Sequence, residues 1–125
     1  MASRSLADLN DATRMRAELF LNKCQAEGIE VLIYCTYRSD AEQDQLYAQG
    51  RTLPGKIVTN AKAGQSEHNK RRAFDCVPML SGKPQWGDVA TYRRMGEIGE
   101  SVGLEWAGRW TGKLRETAHF QFRGE

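Results

Sequence analysis

The chain carries two histidines, and each stands among residues that can hold a metal ion or move a proton. In "GQSEHNKRRAFDCVP", His68 and Asp75 lie seven positions apart with three consecutive basic residues, Lys70, Arg71 and Arg72, between them. His119 follows about fifty residues later in "RETAHFQF", with Glu116 three positions before it. Imidazole and carboxylate are donors that suit zinc, and two His with one carboxylate leave a tetrahedral ion one position open for water. A hydrolytic site needs that opening, because the ion draws the pKa of its water from about 15.7 towards 7. Glu116 is the candidate general base. The competing reading is a charged surface turn that happens to contain a histidine. H-x6-D is not a specific motif, and E-x-x-H arises often by chance. Spacing alone leaves both readings open.

Whatever these residues do, the elements between them must bring them together. Ser5 to Glu27 reads as a helix: Ser5 with Asp8 gives an N-cap signal, apolar Leu9, Ala12, Leu19 and Cys24 recur at helical spacing, and Gly28 stops it. "IEVLIYCT" is short and β-branched, hence a strand, expected to be buried on both faces. "SDAEQDQLYAQG" predicts a second helix, opened by a Ser39–Glu42 capping box and ended by Gly50. Residues 51–65 read as a long loop with Pro54, Gly55 and Gly64. "RAFDCVP" is a strand carrying Asp75 and closed by Pro78, and "SGKPQWGD" is turn material. Asp88 caps a helix running to about Val102, ended by Gly103, and "LEWAG" and "HFQF" are short strands. The order predicts one α+β domain over residues 1–125, with a small, mostly antiparallel sheet packed against helices.

A chain of 125 residues, 40% hydrophobic and 27% charged, has the balance of a soluble globular domain. The formal charge of +2 is too small to signal a nucleic-acid partner. The runs Lys70–Arg72 and Arg93–Arg94 sit among acids without interleaved aromatics, so no nucleic acid is expected. Cys24, Cys35 and Cys76 are odd in number and form no C-x-x-C pattern; buried free thiols made in a reducing compartment are expected. The N-terminal stretch has no apolar run resembling a signal peptide, and no segment is long enough to span a membrane. Synthesis in a cytoplasm without membrane insertion follows as an expectation.

The ordered motifs carry a resemblance that the spacing does not. S-x-H-x6-D, with Ala73 two places before the Asp, followed by E-x-x-H-F-Q, resembles the zinc peptidases that cut peptides containing D-amino acids. These are the D-alanyl-D-alanine peptidases of vancomycin resistance and the L-alanyl-D-glutamate peptidases of phage endolysins. "TYRSDAEQDQLYAQGRT" is similar to the segment such enzymes place before the zinc loop, and "PGKIVTNAKAGQSEHN" to the connection in the endolysin branch. The likeness spans about Val31 to Gln121. It implies a single zinc ion held by His68, Asp75 and His119, with Glu116 as general base. Arg38 matches the arginine aimed at the reacting carbonyl, where a fixed guanidinium stabilises an oxyanion. Ser66 and Gln43 also match family positions, and bracing the loop or the ligands suits both better than direct chemistry. Trp106 and Trp110 suit either the cleft or the core.

Three positions depart from the family pattern. Arg71 stands where a small residue, commonly Gly, is usual, and implies a different turn or strain. Ala118 replaces a frequent Pro, and "WTGKLRET" replaces a Trp-Lys-Ser type of stretch before the base. The Lys70–Arg72 run is expected at a solvent-facing tip, turned from the metal and towards an anionic wall. The resemblance implies a monomeric endolysin acting on the peptidoglycan stem peptide at the L-alanyl-D-glutamate bond. Such an enzyme is made in the host cytoplasm and reaches the wall after release by a separate holin. A D-alanyl-D-alanine carboxypeptidase and a non-catalytic, zinc-stabilised wall-binding module are the alternatives.

Overall fold

Asn10, rather than Ser5, starts the first long helix. The Ser5 hydroxyl accepts the Ala7 N–H and caps a single 3-10 turn, Leu6–Asp8, after which the backbone extends at Leu9. Asn10 then accepts the Thr13 N–H and caps α1, Asp11–Ala26, which buries Thr13, Ala17, Phe20 and Cys24 along one face. The structure, a computed structural model, describes residues 2–112 and 115–124.

After Gly28 at φ 79° the chain enters β1, Glu30–Cys35. Helix α2, Asp40–Ala48, opens on the Ser39–Glu42 capping box, with both reciprocal hydrogen bonds in place. A long loop leads through a series of turns to β2, Ala73–Leu80. A tight turn returns the chain as β3, Lys83–Pro84, and Asp88 caps α3, Val89–Ser101. Two short strands, β4 (Glu105–Trp106) and β5 (His119–Gln121), complete a sheet of order β1-β2-β5-β4, with β3 also on β2. Its ladders are all antiparallel.

Two expectations change. β1 is an edge strand with one half-open face, where Leu32 is 39% exposed, so it is not buried on both sides. Its apolar run reflects β-propensity rather than enclosure. β2 continues two residues past Pro78. The proline nitrogen points to the side of β3, where the Gln85 N–H still donates to the Pro78 carbonyl at 2.8 Å, so pairing continues past the proline through its acceptor alone.

One register builds both the core and the site. Phe74 pairs with Phe120 and Asp75 with His119 across β2 and β5. Pleating sends the phenylalanines inward, where their rings stack at 5.5 Å and meet Phe20 of α1 at 5.7 and 4.8 Å. It sends Asp75 and His119 to the opposite face. Helix α3 lies close against β4 and β5 because of its glycines: a Cβ at Gly96 would meet the Trp106 ring at 2.2 Å. All three cysteines are buried free thiols, and burial pushes the Cys24 thiol up to about 12. No helix among the described residues is long and apolar enough to cross a membrane.

Candidate metal and catalytic site

His68, Asp75 and His119 converge on the outer face of the sheet. Asp75 Oδ1 lies 3.2 Å from His68 Nε2 and 3.1 Å from His119 Nδ1, and the two imidazole rings are 5.1 Å apart, edge to face. Both histidines are buried. Their outer nitrogens are committed elsewhere. His68 Nδ1 is 2.8 Å from the Thr36 carbonyl, which can only accept, so Nδ1 donates there. His119 Nε2 is 2.8 Å from Gln121 Oε1, whose amide is oriented by donation from its Nε2 to Glu105 at 3.3 Å. Each ring thus turns its inward nitrogen to the Asp75 carboxylate, where a metal could take the place of a shared proton, as ligation requires.

Cys35 adds a fourth donor. A ligand atom from each of Cys35, His68 and Asp75 lies within 4.8 Å of the others, a group able to hold a metal ion. The sulfur, however, sits 3.7 Å from Nδ1 of His68, the nitrogen already given to Thr36, and accepts from Arg38 at 3.5 Å. Burial by itself lowers the His68 pKa, but the charge and hydrogen bond of Asp75, with a smaller contribution from Cys35, lift it to about 10. Burial in turn favours a neutral Asp75, and the two histidines outweigh it to hold the carboxyl well below its usual range. Without a cation the cluster is therefore an ion pair, and a metal entering it displaces a proton from His68.

Around this centre runs a cleft of about 990 Å³, lined by Arg38, Glu116, Trp110 and Gln121 on the ligand side and by Ile57 to Ala61 of the long loop. Glu116 Oε2 stands 3.9 Å from His119 Nδ1, with its side chain 55% exposed. Its backbone is fixed by a bond to Ala107 O, and its carbonyl receives the His119 N–H, so base and histidine share one turn. Arg38 donates at 2.8 Å to Oε1 of Gln43, whose side chain is fully buried. Gln43 also donates to Ala61 O at 2.6 Å and thereby ties the long loop to α2. Ser66 Oγ accepts the His68 N–H at 3.2 Å. Trp110 lines the cleft, its ring 5.8 Å from that of His119, whereas Trp106 is a core residue. Glu105, Gln121, Thr36 and Asn69 (which donates to Arg38 O and Ser39 O) were not singled out in the sequence, and only the HFQ tripeptide pointed towards any of them.

Residues 7–125 match the VanY family, described as D-alanyl-D-alanine carboxypeptidase. The chain belongs to that family. Two relatives are named for a different bond. The peptidoglycan L-alanyl-D-glutamate endopeptidase CwlK of Bacillus subtilis (strain 168) is 34% identical over 92% of this chain and 74% of its own length. The L-alanyl-D-glutamate peptidase of Listeria phage A118 is 32% identical over 96% of this chain, which spans 41% of the phage protein. Among solved structures, the Serratia marcescens L-Ala D-Glu endopeptidase ChiX superposes with a TM-score of 0.71 at 20% identity, covering 98% of this chain and 88% of ChiX. The D,D-pentapeptidase VanY of the VanB-type resistance cassette, solved with Zn(II), gives 0.68 at 18% identity over 93% and 73%. These likenesses establish a shared fold.

Within this VanY-family chain, Arg71 retains the left-handed backbone that the usual glycine would adopt, at φ 62°. A side chain there costs about 1–2 kcal/mol. The guanidinium recovers a similar amount by lying 4.0 Å over the Tyr37 ring and donating to Asp8 O at 2.9 Å; such contacts contribute about 0.5–1 kcal/mol and about 0.5–1.5 kcal/mol. The neighbouring cations are also paired within the chain: Lys70 and Arg72 both face Glu67, at 3.8 and 4.0 Å. The basic run is a solvent-facing turn whose cations also have acidic partners within the chain.

Proposed function

We propose that this chain is a zinc endopeptidase cleaving the L-alanyl-D-glutamate bond of peptidoglycan stem peptides. The observation that carries the reading is the meeting of His68 Nε2, Asp75 Oδ1 and His119 Nδ1 with both outer histidine nitrogens already committed. These donors suit one zinc ion on ligand type, and His119 completes the set better than Cys35 because the sulfur faces the wrong nitrogen of His68. When bound, zinc supplies a Lewis acid for the scissile carbonyl and makes water acidic enough to attack near neutral pH.

The protein's own groups do the rest. Glu116, at the rim of the cleft beside His119, accepts the proton of the attacking water and returns it to the departing amine of D-glutamate. Arg38, held by Gln43, presents its guanidinium to the oxyanion of the tetrahedral intermediate. Gln43 and Ser66 brace Arg38, the loop and His68 rather than touching substrate. Both named relatives support the bond assigned. A carboxypeptidase must also anchor a terminal carboxylate. Of the described cations lining the cleft, Arg38 is assigned to the oxyanion and Arg123 is paired with Glu105, which favours an endopeptidase. The phage source of one relative supports an endolysin role; the proposal extends this to a monomer made in a host cytoplasm, released to the wall by a separate holin, and antibacterial when applied to exposed walls.

Digestion of purified peptidoglycan followed by mass spectrometry tests the assignment. New amino-terminal glutamate is expected. Free D-alanine without new amino-terminal glutamate would instead make the chain the D-alanyl-D-alanine carboxypeptidase that the family description names. No cleavage at all would leave a zinc-stabilised binding module.

A further inference from the structure

We infer that Glu105, a strand residue outside the catalytic set, is a positioning residue that orients the Gln121 amide so that its oxygen faces His119 Nε2. The inference rests on His119 being a metal ligand, as proposed above. Glu105 and Gln121 are register partners across β4 and β5. A carboxylate only accepts hydrogen bonds, so Glu105 dictates which way its neighbours turn. Its Oε1 takes the Gln121 amide N–H at 3.3 Å and Arg123 at 3.0 Å, while Oε2 takes the Trp110 indole N–H at 2.9 Å.

With its NH2 held by Glu105, Gln121 can offer His119 only its oxygen. With a metal on Nδ1, the Nε2 proton is directed at that oxygen, 2.8 Å away; without one, Nδ1 stands 3.1 Å from the acceptor-only Asp75 carboxylate and donates to it. If the amide turned over, its NH2 would oppose the Nε2 proton that a metal on Nδ1 requires, and the metal would be held more weakly. Gln121 is buried, so no solvent is at hand to orient it in place of Glu105. His68 receives the same instruction from a main-chain carbonyl, which cannot turn over. The relay through Glu105 is what makes the softer half of the site equivalent to the harder one. The same carboxylate also sets the indole that forms one wall of the cleft.

The test uses Glu105→Ala, the double variant Glu105→Ala with Gln121→Glu, and Gln121→Leu. Glu105→Ala frees the amide to turn. In the double variant the residue at 121 accepts at both ends, so its orientation no longer matters. Both variants lose the Arg123 and Trp110 partners, so the difference between them isolates the relay. Two readouts apply: the zinc dissociation constant by chelator competition, and the 1H–15N signal of His119 Nε2–H in zinc-loaded protein. Glu105→Ala is expected to weaken zinc binding about tenfold or more and to broaden the Nε2–H signal through exchange with water. The double variant is expected to restore the affinity and the sharp signal. Gln121→Leu, which leaves Glu105 intact, is expected to weaken zinc like Glu105→Ala. Wild-type affinity with a sharp Nε2–H signal in Glu105→Ala overturns the relay, and so does a double variant as weak as the single one. A wild type that binds zinc but cleaves no wall peptide sinks the proposed function and leaves the relay standing, whereas one that binds no zinc overturns both.

Discussion

The two histidines each turn one ring nitrogen to Asp75, Nε2 of His68 and Nδ1 of His119, but are held by different kinds of structure. His68 sits in a turn and is gripped by main chain: its ring donates to the Thr36 carbonyl, and its own carbonyl takes the Arg38 N–H. His119 sits in a strand whose register is fixed by the core, and its ring is oriented by a chain of side chains, Gln121 and Glu105. The comparison teaches where each half is vulnerable. Side-chain substitutions around His68 leave its partner in place, but changes in backbone conformation reach it directly. Around His119 the reverse holds.

Removing either imidazole is the change to which both halves should respond alike. His68→Ala and His119→Ala are each expected to abolish zinc retention and wall hydrolysis, measured by metal analysis and turbidity loss of permeabilised cells. Glu116→Ala should separate chemistry from ligation: kcat is expected to fall about 10²–10⁴-fold while zinc content is unchanged. Next comes Arg38→Ala, expected to cost about 10²–10³ in kcat, with Gln43→Ala costing less because it loosens the guanidinium without removing it. Steady-state kinetics on purified wall fragments reads both.

The smallest effect sharpens the comparison most, because it acts through backbone on the His68 side. Arg71→Ala keeps the left-handed strain but loses the Tyr37 and Asp8 contacts, whereas Arg71→Gly loses the contacts and relieves the strain. The glycine variant is expected to be the more stable of the two by about 1 kcal/mol, read from urea midpoints. Equal midpoints would mean that the positive φ carries no strain at that turn.

How much of this was legible in the sequence follows the range of the forces involved. Local capping chemistry was: the Ser39–Glu42 box and the Asp88 cap stand where the residues put them. The Ser5–Asp8 signal was real but local, closing one 3-10 turn before Asn10 begins the helix. The run "EVLIYC" identified a strand but not its edge position, because burial depends on which neighbours pair with it. The positions of His68, Asp75 and His119 came from ordered motifs, whereas their convergence depends on a β2–β5 register that no spacing encodes. Glu105 left no trace, since a half-exposed glutamate in a two-residue strand looks like any surface acid. Trp106 and Trp110 are four residues apart and of one type, and only the fold sends one to the core and the other to the cleft.

The most direct measurement strips the protein with a chelator, titrates zinc back and follows release of amino-terminal glutamate from peptidoglycan. The expected result is no hydrolysis in the stripped protein and full recovery at one equivalent of zinc, with His68→Ala silent throughout. Full hydrolysis by metal-free protein would contradict the account.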